Sequence, residues 1–286
     1  MSVASADGAI GIFDSGVGGL TVLHALRDRL PNENIIYLGD TARLPYGTKS
    51  PETVQRYAAH AAGWLMQRDI KLLVVACNTA SALALDGLRE LLAPVPVIGV
   101  VEPGAAAAVS QSGRQHHLVL ATEATTSRRA YTRAIQALRP DAIIEELPCS
   151  LFVALAEEGW SEDAVAHAAA EKYLGGVRAR DTGDRPDTAI LGCTHFPLLR
   201  TAIAAALGPD IAIVDSASTT AAAVVAELDR LKLRITTQSS GRLRLVATDG
   251  AARFARTGSA FLGETFSPDD IELTDIHPAD ISLAGR

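Results

Sequence analysis

The chain is poor in cysteine, in basic charge and in long apolar runs, and each shortage closes off a class of function. Its three cysteines, Cys77, Cys149 and Cys193, are too few and odd in number for a disulfide scaffold, so reduced thiols are expected. None belongs to a C-x-x-C pair, which argues against a dithiol redox centre. With 26 basic residues against 33 acidic ones and a formal charge of -7, the chain is a poor nucleic-acid binder. No apolar run approaches the roughly 18 to 20 residues that span a bilayer, so no membrane partner is expected. The opening stretch, Met1 to Ile10, lacks the basic and apolar regions of a secretory leader, which gives a cytoplasmic expectation. Closely spaced metal ligands are missing too, and no metal is expected.

What is present is an ordinary globular composition, 48% hydrophobic and 21% charged, in a chain of 286 residues. That length suits two lobes. Short apolar runs alternate with helix-patterned segments from Gly8 to Leu262. Alternation of this kind calls for α/β layers with mainly parallel sheets. The expected fold is two pseudo-symmetric α/β lobes with the active site in the cleft between them. Residues 1–104 with 212–286 are expected to form the first lobe and 105–211 the second. The segment after Leu262 reads as a polar tail.

Two stretches organise this pattern, Leu73–Thr79 and Ala189–His195. In each, a buried-strand run ends in a small residue, then cysteine, then small polar residues that open a helix-like segment. A cysteine there lies at the carboxyl edge of a strand, where open α/β sheets bind ligands, and a helix N-terminus favours its thiolate. Two such thiols suit opposite faces of one small molecule. Cys149 lacks this context and reads as inert.

Other polar groups gather at neighbouring strand ends. Asp14-Ser15-Gly16-Val17-Gly18-Gly19 has neither the G-x-G-x-x-G spacing nor a Walker lysine, which disfavours a nucleotide. It reads as an Asp-Ser pair for a small zwitterion, or as a tight turn that needs glycine. Tyr46 and Gly47 offer a pocket wall and backbone N–H groups for a carboxylate, while Arg43 reads as an ion-pair partner of Asp40. Thr122 and Thr125 are either helix caps or neutral carboxylate donors. Glu157 is a buried acid or a helix-end surface carboxylate, and His60 a surface or packing histidine. A Cys–His hydrolase would leave the second cysteine turn unexplained. Acid–base work at carbon, one thiolate removing a proton and one thiol returning it, uses both.

At this point the motifs become family-specific. Ile12–Thr21, Tyr37–Gly47, Ala76–Ser81 and Gly192–Leu199 resemble, in order, the signatures of the aspartate/glutamate racemase family. The last, with its His-Phe-Pro, resembles the glutamate racemase branch. The chain departs from the pattern at Leu147–Ser150 and at Asp215–Ala217. The resemblance implies interconversion of L-glutamate and D-glutamate without a cofactor, supplying D-glutamate for peptidoglycan, in a protein that can form a homodimer. It implies Cys77 and Cys193 as the two bases, with Asp14, Asp40, Glu157 and His195 assisting. Asp14, Ser15, Tyr46, Gly47, Asn78, Thr79, Thr122, Thr125, Thr194 and His195 would contact substrate. Aspartate racemisation, an arylmalonate-type decarboxylation and simple small-molecule binding remain alternatives.

Lys49, Lys71, Lys172 and Lys232 all lie where solvated surface residues are expected, so no Schiff base to pyridoxal phosphate is foreseen. The purified protein should show no internal-aldimine absorbance band. It should also keep its activity through borohydride treatment; loss of such a band together with activity would overturn the expectation.

Overall fold

The computed structural model describes residues 5–236 and 239–277. The first half of the chain runs β1 (Ala9–Asp14), α1 (Leu20–Arg29), β2 (Ile35–Gly39), α2 (Pro51–Met66), β3 (Ile70–Val75), α3 (Asn78–Leu92), β4 (Val97–Gly99) and α4 (Val101–Gln111). The middle adds β5 (His116–Ala121), α5 (Glu123–Ser127), α6 (Ala130–Leu138), β6 (Ile143–Pro148), α7 (Leu151–Glu157), α8 (Ala164–Arg178) and β7 (Thr188–Gly192). The chain continues through α9 (Arg200–Leu207), β8 (Ala212–Asp215), α10 (Ser216–Leu231), β9 (Leu243–Ala247), α11 (Ala251–Leu262) and β10 (Ile271–Leu273).

Two parallel sheets result, as the alternating pattern requires. One has six strands in the order β10-β9-β2-β1-β3-β4, the other four in the order β6-β5-β7-β8. Strand side chains alternate between faces, and both faces are covered, which is why the runs are apolar throughout. On β3, Leu72 and Val74 pack into one core while Leu73 and Val75 pack into another beneath α2 and α3. On β5, Leu118 and Leu120 join the first of these cores and Val119 and Ala121 a third. One continuous core therefore runs from the larger sheet to the smaller.

Four details depart from the sequence reading. Strand β8 pairs with β7, so the smaller sheet extends to Asp215 and the lobe boundary expected after residue 211 leaves its edge strand on the wrong side. The apolar run Val95–Val101 reads in sequence as one strand but is extended only at Val97–Gly99; α4 begins at Val101 and takes Pro103 into its first turn, where a missing N–H costs nothing. The polar tail contains β10, which adds to the edge of the larger sheet beside β9.

The fourth departure is Lys71. It is fully buried, its Nζ 2.5 Å from Glu33 Oε2 and donating to the carbonyls of Ala6 and Leu233 at 2.6 and 2.8 Å. Glu33 Oε1 accepts from Ile235 N at 2.8 Å. This pair pins the chain entering β1 and the loop after α10 to the amino end of the larger sheet. Cys77 follows the opposite end of the same strand, about 20 Å away at ~3.3 Å per residue, so Lys71 has no reach into the cleft.

Breaking one side of a buried ion pair strands the other charge. Lys71→Met should therefore lower unfolding stability by about 3 to 5 kcal/mol, read from denaturant melts. The Lys71→Met/Glu33→Gln double variant should lose less than the single one.

Candidate active site

The carboxyl ends of the two sheets face each other. Asp14 ends β1, Cys77 follows β3, Thr122 follows β5 and Cys193 follows β7. Three polar contacts close the junction. Thr21 Oγ1 donates to the Thr194 carbonyl at 3.2 Å, Asn78 Nδ2 donates to Tyr131 Oη at 2.8 Å, and the Thr79 and Thr122 hydroxyls meet at 3.2 Å. Gly18 is what admits the second lobe so close. A Cβ there would overlap Thr194 Oγ1 and the His195 ring. The glycine turn is thus a close approach beside Asp14 and Ser15, which accounts for the need for glycine in that stretch.

Cys77 is the N-cap of α3, its Sγ accepting from Ala80 N at 3.5 Å. The helix terminus and the Ser15 hydroxyl favour the thiolate, but burial opposes it more strongly and the Asp14 carboxylate adds to that. The thiol is pushed up to about 12. This reverses the expectation that the helix end decides the matter. Asp14 is itself buried, and loss of water raises its carboxyl; His195 and the backbone N–H groups of Gly16, Gly19 and Ser15 hold it back.

Cys193 is built differently. No α-helix begins there; a 3-10 turn, Phe196–Leu199, intervenes before α9. Its partner is His195, whose Nδ1 lies 3.8 Å from Sγ while Nε2 lies 3.2 Å from Glu157 Oε1. Burial alone would discharge the ring. Hydrogen bonds to Cys193 and Glu157 outweigh it and lift His195 to about 10, so the ring is an imidazolium at neutral pH. Glu157 is lowered, first by its bond to His195 and then by Arg253, whose Nη2 donates to Oε2 at 3.1 Å. A charge on Cys193 raises the Cys77 thiol, so the two cysteine turns lie within electrostatic range across the junction.

The remaining expected residues gather around these two turns. Thr79, Thr122 and Thr125 form a hydroxyl triangle with separations of 3.2 to 3.5 Å. Asn78 Oδ1 is buried and carries no hydrogen bond, an open acceptor. Gly47 lies against Thr122, and Tyr46 is buried with its hydroxyl 2.5 Å from Asp40 Oδ2. Asp40 also binds Arg43 and Thr248, so it reaches the cleft through Tyr46 and touches neither thiol. His60 is buried against Arg43.

Cys149 is the exception among the thiols. It does sit between a strand and a helix, β6 and α7, contrary to the sequence reading. It is wholly buried in the core, and burial, with the nearby Cys193 charge, raises it to about 12. Four residues escaped notice. Tyr37 is buried near Asp14 and Cys77, Tyr131 supports Asn78, Phe261 meets the His195 ring edge-on at 5.0 Å, and Arg253 binds Glu157. Each is an ordinary aromatic or basic position on its own element, so nothing local marks it. Among the described residues no cluster of three or more His, Cys, Asp or Glu is arranged to hold a metal ion, and no helix is long and apolar enough to cross a membrane.

Because the Asp14 carboxylate opposes ionisation of Cys77, Asp14→Asn should make that thiol more acidic. The measurement is the pH dependence of alkylation in a Cys149→Ala, Cys193→Ala background. An unchanged or higher midpoint would show that burial alone sets Cys77.

Comparison with known proteins agrees with this architecture. A family model described as Asp/Glu/Hydantoin racemase matches residues 20–224. A glutamate racemase of Geobacter metallireducens is 51% identical over 89% of this chain and 93% of its own, and one of Syntrophus aciditrophicus is 44% identical over 90% and 93%. Among solved structures, glutamate racemase from Francisella tularensis in complex with D-glutamate superposes with a TM-score of 0.86 at 35% identity, covering 94% of this chain and 98% of that one. An aspartate racemase from Picrophilus torridus, 18% identical with a TM-score of 0.55 over 79% of this chain and 99% of its own, shares the fold alone. With 205 of its residues, 20 to 224, under the family model and 51% identity to one relative over 89% of its length, the chain belongs to the Asp/Glu/Hydantoin racemase family.

Proposed function

We propose that this protein interconverts L-glutamate and D-glutamate by a cofactor-independent two-base exchange, and that in the cytoplasm it supplies D-glutamate for peptidoglycan. The observation that carries the reading is the pair of buried thiols on opposing lobes, each at the carboxyl end of a parallel strand, with the charge of Cys193 felt at Cys77. A substrate α-carbon between them meets one sulfur on each face. By family analogy Cys77 takes the proton from D-glutamate and Cys193 from L-glutamate.

The surroundings suit that chemistry. An α-proton is very weakly acidic, so charge developing on the substrate carboxylate needs preorganised donors. The hydroxyls of Ser15, Thr79, Thr122 and Thr125 and the backbone N–H groups at the start of α3 supply them without a cationic clamp. The open Asn78 Oδ1 suits the ammonium group. Two-base exchange also requires one sulfur to be ionised while the other is protonated. Cys77, raised to about 12, rests as the thiol, and the His195 ring, raised to about 10, lies 3.8 Å from Cys193 Sγ. Binding an ammonium near Asp14 offsets the charge that opposes Cys77 ionisation, which readies the second direction.

Cys77→Ser and Cys193→Ser should each reduce racemisation by roughly a thousandfold, followed by circular dichroism on both enantiomers of glutamate and of aspartate. The wild-type protein should exchange solvent deuterium into the α-carbon of glutamate. Near-normal turnover of either variant in both directions would refute the two-base mechanism. A protein that binds glutamate without any exchange would be a binder on the same scaffold.

A further inference from the structure

We propose that Arg253 is a positioning residue, holding the Glu157 carboxylate against His195 from the opposite lobe so that the Cys193 half of the exchange depends on a contact across the cleft. The inference rests on the two-base reading above and adds a residue to it.

Glu157 is the last residue of α7, where unpaired helix carbonyls make a carboxylate unwelcome. The backbone then turns away at Gly159, with φ of +76°. What keeps the side chain in place is cationic on both sides. Oε1 faces His195 Nε2 at 3.2 Å, and Oε2 accepts from Arg253 Nη2 at 3.1 Å. Arg253 lies in the first turn of α11, which belongs to the lobe of the six-stranded sheet and also sends Phe261 against the His195 ring. The line from Cys193 through His195 and Glu157 to Arg253 therefore alternates in charge from His195 onward and ends in the other lobe.

Beyond Glu157 is a cavity of about 410 Å³ lined also by Glu158, Arg253 and Arg256. Without Arg253 the carboxylate is free to rotate into that space and be hydrated, leaving His195 with one partner fewer. Arg253 is 60% exposed against 19% for Glu157. An ion pair so placed contributes little to folding, so its effect belongs in the kinetics.

The sign of one titration separates positioning from simple charge. A distant cation disfavours an imidazolium, so deleting Arg253 merely as a charge would raise the His195 pKa. Losing the Glu157 contact would lower it. The groups acting on the ring are Cys193, Glu157 and, through space, Asp14, with Glu158 and Arg256 in the outer cavity; all remain in the variant.

The experiment follows the His195 ring by NMR in protein labelled at histidine, its signal assigned by its loss in His195→Gln. Arg253→Met should lower the His195 midpoint from about 10, Arg253→Lys should restore most of it, and Arg256→Met should leave it in place. A rise, no change, or an equal fall in Arg256→Met would overturn the proposal. In turnover, Arg253→Met should be slower by about threefold to tenfold. Because enantiomers are equally stable, kcat/KM must fall equally in both directions, so direction is read from isotope effects. The α-deuterium effect should grow for L-glutamate and shrink for D-glutamate; equal growth in both, or no change in either, counts against the role. The NMR arm needs no turnover and judges Arg253 alone, whereas a racemising Cys193→Ser protein would sink the underlying function.

Discussion

Withdrawal of charge from water governs this cleft. Where two sheets meet end to end, Asp14, Cys77, Cys193 and His195 are all nearly inaccessible, and a buried charge persists only beside a compensating one. On the side of the larger sheet the groups have the same sign when ionised, so Asp14 makes ionisation of Cys77 harder and both make that of Tyr37 harder. On the side of the smaller sheet, signs alternate from His195 to Glu157 to Arg253. The two cysteine turns, near-identical in residue pattern, thus have different electrostatic surroundings, a carboxylate beside Cys77 and an imidazole backed by Glu157 beside Cys193.

The same junction depends on backbone closeness. Gly18 is packed so tightly against Thr194 and His195 that no larger residue fits, and Gly19 against Asp14 and Ala76. The Thr21–Thr194 and Asn78–Tyr131 bonds then fix how the two cysteine turns are aimed. Small residues in the loop after β1 are therefore part of the site's geometry as much as the sulfurs are.

Much of this was legible in the residues. Doubly covered parallel strands need apolar runs without alternation, and β1, β3, β5 and β7 have them. The two cysteine turns stand out because a polar residue type recurs at one position of a repeated unit. Less could be read where tertiary context decides. Lys71 lies in a strand whose pattern says only that something polar interrupts it; its burial depends on Glu33 and on carbonyls far along the chain. Strand β10 is three residues long and half exposed, so it lacks a pattern of its own and owes its form to β9. Cys149 follows β6, which reads as a strand, but its two glutamates break the buried apolar run that marks the other two cysteine turns, so the shared context is hidden. Tyr131 and Arg253 act through partners on other elements, and no spacing encodes that.

The strand order of the larger sheet has a bearing on how the molecule is made. Ile35 of β2 is registered with Leu243 of β9, and β9 in turn with β10 near the end of the chain. During synthesis, every strand of the smaller sheet leaves the ribosome before β2 can acquire its outer neighbour. The lobe begun first is finished last. Until then β2 presents an open, apolar edge of the kind that recruits other chains, and non-local pairing of this sort closes slowly. The newborn polypeptide is therefore most exposed to aggregation in the interval between the emergence of β2 and that of β9, with its thiol-bearing turns already translated.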